Sequence, residues 1–195
     1  MNSQVQISGY LAPNGYFYNA PYCANGIWVI GGYGGSARGI KYSTDGKTWT
    51  TSNITTTHYA PYYANGIWVI DSYASGIKYS TNGKTWSNSN ITSGGYTSPY
   101  YANGIWVISG GGGIKYSTDG KIWSDSNITS NGYTSPYYAN GIWVIGSSSS
   151  SGIKYSTFNS LNDLGSAFKG ISELKSYTDD TFATKSYVNN HKLFL

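Results

Sequence analysis

The apolar and polar positions of this chain follow one pattern, written four times. Each copy carries a short apolar run, Ile-Trp-Val-Ile, at residues 27–30, 67–70, 105–108 and 142–145. An uninterrupted apolar run of this length fits a strand buried on both faces. An Asn-Gly pair precedes each run: Asn25-Gly26, Asn65-Gly66, Asn103-Gly104 and Asn140-Gly141. Asn-Gly predicts a two-residue hairpin, because both residues accept the positive φ of a type I′ turn. After a glycine- and serine-rich stretch comes Gly-Ile-Lys-Tyr-Ser-Thr, starting at Gly39, Gly76, Gly113 and Gly152. Its alternation has the period of two expected of a half-buried strand. Three copies then turn through Asp45-Gly46, Asn82-Gly83 and Asp119-Gly120 into Trp49, Trp86 and Trp123. Each unit therefore predicts a meander of four short strands.

The anchor tryptophans Trp28, Trp68, Trp106 and Trp143 are 40, 38 and 37 residues apart. The variation falls in the glycine/serine stretches at 31–36, 109–112 and 147–151, which read as surface loops. A lone meander cannot bury both faces, so the copies must stack on one another. The expected fold is all-β: a small β-propeller of four repeats of ~37 residues, occupying residues 1–157. The last copy reaches Tyr155-Ser156-Thr157 and then lacks both the turn and its tryptophan. Residues 3–8 align through Ile7 with Ile54, Ile91 and Ile128, which follow the missing kind of strand. The N-terminal strand is therefore expected to complete the last blade and close a ring of four. An open array capped by the tail is the alternative.

From Leu161 onward glycine thins and charges appear. Leu161, Leu164, Phe168, Ile171, Leu174 and Tyr177 are three and four apart, the spacing of a helical stripe. Residues 158–195 are accordingly expected to form a helical segment for oligomerisation or attachment, with Asp179-Asp180 at the start of a further helix.

Composition narrows the function. Of 195 residues, 10% are charged and 17% aromatic, and the net charge is only +4. Lys41, Lys78, Lys115 and Lys154 occupy one repeat position, so no basic stripe exists to bind nucleic acid. No apolar run approaches the ~20 residues of a membrane span, and residues 1–6 do not resemble a secretory signal. The single cysteine, Cys23, stands where other copies have tyrosine, and it excludes an intramolecular disulfide. His58 and His191 are isolated, without metal-ligand spacing, and no cofactor is expected. Asp45 and Asp119 are turn residues and Asp71 is alone in its copy, so no pair of catalytic carboxylates is foreseen. The glycine runs at 31–35 and 110–113 lack the lysine of a phosphate loop. Binding fares better. Tyr62, Tyr63, Tyr100, Tyr101, Tyr137 and Tyr138 stand in pairs beside Ser/Thr/Asn-rich linkers, a chemistry that suits sugars and protein surfaces. The same tyrosines could instead fill the space between blades.

Two resemblances add to this reading. Ser43-Thr-Asp-Gly-Lys-Thr-Trp49 resembles the Asp-box of sialidase-like β-propellers, in a form one residue shorter than usual, as do the segments ending at Trp86 and Trp123. The resemblance implies that Asp45, Asn82, Asp119, Trp49, Trp86 and Trp123 build structural turns. A sialidase would need an arginine cluster, and Arg38 is the single arginine of the chain. The second resemblance lies in Phe182-Ala183-Thr184-Lys185-Ser186-Tyr187-Val188, which is similar to connector segments of bacteriophage fibre and tail proteins, with Asn189 in place of the more usual aspartate. It implies a virion structural or receptor-binding protein, made in the host cytoplasm. It also implies a homo-oligomer, a trimer first, joined to other virion proteins through the C-terminal segment, with a host-surface glycan as possible ligand. The alternative is a lectin-like propeller on a bacterial surface or secreted, and a degenerate hydrolase stands third.

Overall fold

A computed structural model describes residues 17–35, 38–72, 74–129, 132–147, 152–157 and 169–170. These residues form four antiparallel sheets in chain order, with no α-helix among them. The second sheet runs β6 (Tyr62–Ala64), β7 (Ile67–Ile70), β8 (Lys78–Ser80) and β9 (Ser87–Asn88), each strand pairing with the next. The third repeats it with β10 (Tyr100–Ala102), β11 (Ile105–Gly110), β12 (Gly113–Ser117) and β13 (Ser124–Asp125). In the first sheet the inner strand is broken into β1 (Phe17–Tyr18) and β2 (Tyr22–Ala24), both paired with β3 (Ile27–Tyr33). β4 (Gly39–Ser43) and β5 (Thr50–Thr51) complete it. The fourth holds β14 (Tyr137–Ala139), β15 (Ile142–Ile145), β16 (Lys154–Ser156) and β17 (Lys169–Gly170).

The four meanders and the all-β class are those the pattern predicts. The hairpin turns follow from the Asn-Gly pairs: the four asparagines have φ of 49–50°, and each following glycine is also positive. The closing strand is different. The outer edge of the last sheet is taken by Lys169–Gly170, with Tyr155 opposite Lys169 and Lys154 opposite Gly170. Residues 3–8, expected in that place, lie outside the described residues. So do Leu161, Leu164, Phe168, Ile171, Leu174 and Tyr177, but the expected helix through them is interrupted by this extended pair. The physical reason is the unpaired edge of β16, which an extended segment satisfies and a helix cannot. In sequence, Phe168 precedes Lys169 as Trp123 precedes Ser124, but it follows Tyr155 by 13 residues where Trp123 follows Tyr116 by seven, so the repeat spacing did not mark this strand.

The core lies between the sheets. Along Ile67–Ile70, Ile67 and Val69 face one neighbour, while Trp68 and Ile70 face the other. Three clusters result, one in each gap between successive sheets. Val29 and Ile40 meet Trp68, Ile70 and Trp86; Ile67, Val69 and Ile77 meet Trp106, Ile108 and Trp123; Ile105, Val107 and Ile114 meet Trp143 and Ile145. Trp68, Trp86, Trp106, Trp123 and Trp143 therefore reach across to the sheet before them. A turn glycine closes a gap further. A Cβ on Gly120 would stand 2.9 Å from Val69 Cγ2 and 3.4 Å from Trp106 Nε1. Burying one such valine or isoleucine contributes about 1.5–3 kcal/mol.

Gly120→Ala is expected to destabilise the protein by a further ~1–3 kcal/mol relative to Gly104→Ala, because it forces two sheets apart. At Gly104 no atom lies within 4 Å of a built Cβ. There the change costs only the left-handed backbone, on the order of 1–2 kcal/mol. Urea unfolding of both variants checks the order.

Candidate functional site

Connectivity gives the array two unlike ends. The Asn-Gly hairpins and the turns after β4, β8 and β12 share one end, because antiparallel strands bring alternate connections to the same side. The glycine/serine loops and the linkers between sheets share the other.

The turn end is occupied with holding itself together. Ser117 Oγ donates to Asp119 Oδ1 at 3.0 Å and accepts from the Gly120 N–H at 2.8 Å. Asp119 Oδ1 in turn accepts from the N–H groups of Lys121 and Ile122 at 2.8 and 2.9 Å. Asp45 and Asn82 make the corresponding bonds in their own turns. Burial would raise the Asp119 carboxyl, but the Ile122 and Lys121 N–H groups and the Ser117 hydroxyl outweigh it and hold the group below its ordinary value. Bonds from the Thr48 and Lys47 N–H groups lower Asp45 strongly. Trp86 and Trp123 are buried, and each donates its indole N–H to the turn carbonyl of Gly83 or Gly120. Trp49, in the first sheet, is only half-buried. An asparagine that the sequence pattern did not single out ties each turn to the sheet before it. Asn90 Nδ2 donates to the Trp123 carbonyl at 2.9 Å, and its Oδ1 accepts from the Trp123 N–H at 2.8 Å. Asn53 does the same for Trp86. The signal was its fixed place four residues after each turn tryptophan.

The tyrosine pairs divide their roles. Tyr63, Tyr101 and Tyr138 lean on Trp68, Trp106 and Trp143 of their own sheets, with ring centres 5.0–5.1 Å apart. Tyr62, Tyr100 and Tyr137 join Tyr22 in one continuous column, with successive ring centres 5.2–5.4 Å apart. In addition Tyr22, Tyr62 and Tyr100 each set an edge against the tryptophan of the next sheet, 5.9–6.0 Å away. None of the six tyrosines singled out by sequence lines the cleft at the loop end.

That cleft, of about 780 Å³, is bounded by the linkers and loops of three consecutive sheets. Tyr59, Tyr96, Thr97, Ser98, Tyr133 and Ser135 line it, with the backbone of Gly95, Gly110, Gly111 and Gly132 between them. Every lining side chain is a hydroxyl or a phenol, and none is charged at neutral pH. Backbone bonds pin its walls: the Thr97 N–H to the Ser109 carbonyl at 2.7 Å and the Gly111 N–H to the Gly95 carbonyl at 2.6 Å. Ser109 Oγ donates across to the Thr134 carbonyl of the next sheet. The Lys115 ammonium lies behind, 5.8 Å from the Tyr96 ring centre and paired with Asp125.

Beside the cleft lies a polar group that the sequence reading took as isolated residues. His58 and Asp71 are both fully buried, and the backbone of Tyr59 donates to the Asp71 carbonyl at 2.9 Å. His58 stands in the repeat where Tyr96 and Tyr133 stand, and Asp71 stands where Ser109 does. Those departures from the repeat were the available signal. Asp71 Oδ2 accepts from the Tyr96 N–H at 2.7 Å, while Oδ1 has no partner. His58 Nδ1 lies 2.6 Å from the Thr56 carbonyl, so Nδ1 carries the proton and Nε2 is the unpartnered nitrogen. Burial pushes Asp71 up to about 8, against the N–H groups of Ser72 and Tyr96 and the charge of Lys78. Burial likewise pulls His58 down to about 4. Lys78 is lowered by burial too, with Asp71 opposing. Neither His58 nor Asp71 lines the cleft, so the group cannot reach a ligand there. Among the described residues no cluster of three His, Cys, Asp or Glu could hold a metal ion.

No protein-family model and no curated protein sequence matches the chain. Solved structures do match in shape. The computationally designed Ika8 protein aligns over 77% of this chain and 47% of its own, with a TM-score of 0.57 and 15% identity. YCF48 from Cyanidioschyzon merolae, a β-propeller, aligns over 74% of this chain and 54% of its own at 0.52 and 12%. The GH74 enzyme of Niastella koreensis, also a β-propeller, aligns over 80% of this chain and 30% of its own at 0.50 and 17%. At these identities the likeness shows the propeller fold alone. The chain spans about half or less of the length of these three neighbours.

The buried pair has a signed consequence for stability. Asp71 is raised from 3.8, so its contribution is full below that value and is lost as pH rises to about 8. His58 is lowered from 6.5, so its contribution is full above that value and is lost as pH falls to about 4. From these two groups the wild type is nearly level between 4 and 6.5, then loses stability up to about 8. Asp71→Asn is expected to abolish the loss above 6.5 and to expose the rise below it. Urea midpoints of both proteins at three pH values read the difference.

Proposed function

We propose that this chain is a recognition module without catalytic activity, which holds a neutral carbohydrate in the cleft at its loop end. On this reading it serves a bacteriophage particle as a receptor-binding or structural component. The observation that carries the carbohydrate reading is the uncharged lining of the cleft. Saccharides present hydroxyls on a weakly apolar ring, and Tyr59, Thr97, Ser98 and Ser135 bring hydroxyls to the cleft beside Gly111, which is exposed. No ion has to be stripped of water when such a ligand enters. The turn end offers nothing comparable, since its acids and hydroxyls are already bonded to their own turns. The phage context is supported by the resemblance of residues 182–188 to fibre and tail connectors, and the C-terminal segment would supply the attachment.

Gly111 is exposed and its built Cβ meets only the Gly95 backbone, so Gly111→Trp fills the cleft mouth without entering the core. Wild-type protein is expected to bind at least one neutral glycan on a diverse array. Gly111→Trp and Tyr59→Ala should each weaken that glycan at least tenfold by calorimetry, with melting temperature kept. An array with no bound glycan, or a glycan indifferent to both changes, sinks the reading.

A further inference from the structure

Among the described residues the four sheets do not close on themselves: three core clusters join four sheets, and none joins the last to the first. In a closed ring of four, Tyr137 would stack on Tyr22 as the other column members stack on each other. The column instead runs from Tyr22 to Tyr137 with no contact between its ends among the described residues. Successive ring planes are inclined by 46°, 38° and 46°, and since a ring plane turns no further than the sheet that carries it, these angles set the least turn from sheet to sheet. With four sheets to a chain, a closed ring holds a multiple of four, and once four is set aside by the bare ends, eight is the multiple left in the usual range of four to eight blades.

The two ends are left bare in a complementary way. Val144 is 43% exposed and Tyr137 60%, whereas Val107, one sheet earlier, is fully buried under the next tryptophan. At the other end Trp28 is 36% exposed, whereas Trp68, Trp106 and Trp143 are covered by the sheet before each. Ile153, on the face of Val144, is also open, while its counterpart Ile114 is buried. Every internal joint sets a Tyr/Val/Ile face against a Trp face, so the last sheet lacks a tryptophan partner and the first lacks a tyrosine and valine partner. Each bare face is the half that the other wants.

We propose that two copies of this chain join head to tail at both ends, the last sheet of each packing on the first sheet of the other, to close an eight-bladed ring. In the joint Trp28 of one copy fills the place before Val144 of the other and meets the edge of its Tyr137, as Trp143 meets Tyr100. The joint continues an interface already made three times within the chain, and eight blades lie within the usual range for propellers. Each joint sets two different faces together, but a twofold axis exchanges the two joints, so every face of both copies is covered and the pair is closed. It does not depend on the carbohydrate reading, nor on the C-terminal stripe.

Light scattering on the full chain across a concentration series is expected to give twice the 21.1 kDa chain mass. Val144→Arg and Trp28→Glu, both on open faces, should each reduce it to one chain, because every joint needs one intact face of each kind. An equimolar mixture of the two variants should restore the two-chain mass, through the one joint that remains intact. A wild-type mass of one chain overturns the proposal and leaves the faces to other segments of the chain. A trimer, or any assembly that survives either variant alone, overturns it equally. If a variant loses its cooperative melt, Tyr137→Lys and Trp28→Gln are milder changes on the same faces and make the same comparison.

Discussion

Everything in this fold depends on one contact: a tryptophan from each of the second, third and fourth sheets laid against the isoleucine and valine of the sheet before it. The strands are two to seven residues long, and no sheet of that size has a core of its own. Because side chains alternate along a strand, Ile-Trp-Val-Ile sends its valine to one neighbour and its tryptophan to the other. Each of the two middle sheets is therefore half of two cores, and each end sheet is half of one. The glycine in the following turn belongs to the same contact, since a side chain there would hold the sheets apart. Asn53 and Asn90 add the polar part, tying the backbone of the tryptophan they face.

The division of labour between the two ends follows from how polar groups are satisfied. In the turns, Ser, Asp and backbone N–H groups saturate one another, which explains why conspicuous acids such as Asp45 and Asp119 offer no chemistry. At the loop end the connections vary in length, the hydroxyls face a cleft, and the charged groups sit behind the wall. His58 and Asp71 depart from the repeat within one unit, near the repeat lysine Lys78, and keep two buried atoms without partners. That arrangement ties the second sheet to the linker of the third through Asp71 and the Tyr96 N–H, at the expense of an acid held mostly neutral near pH 7.

The sequence by itself determined the strand class, the hairpin turns, the order of strands within each sheet and the inward place of the tryptophans. These are local matters: Asn-Gly specifies its turn, alternation specifies its faces, and repetition says that neighbours meet alike. The role of Tyr63, Tyr101 and Tyr138 against Tyr62, Tyr100 and Tyr137 was not legible, because adjacent residues of one type point to opposite sides only once the sheet exists. The cleft was missed for a related reason. Tyr59, Ser98 and Ser135 come from different repeats and meet only through the stacking of sheets. The tail shows the limit most plainly: spacings of three and four suited a helix, but the bare edge of β16 drew Lys169–Gly170 into a strand. Whether the array closes was likewise a tertiary matter. The angle between sheets is set by how deeply tryptophan, valine and glycine interlock, and no pattern of residue types along the chain encodes an angle.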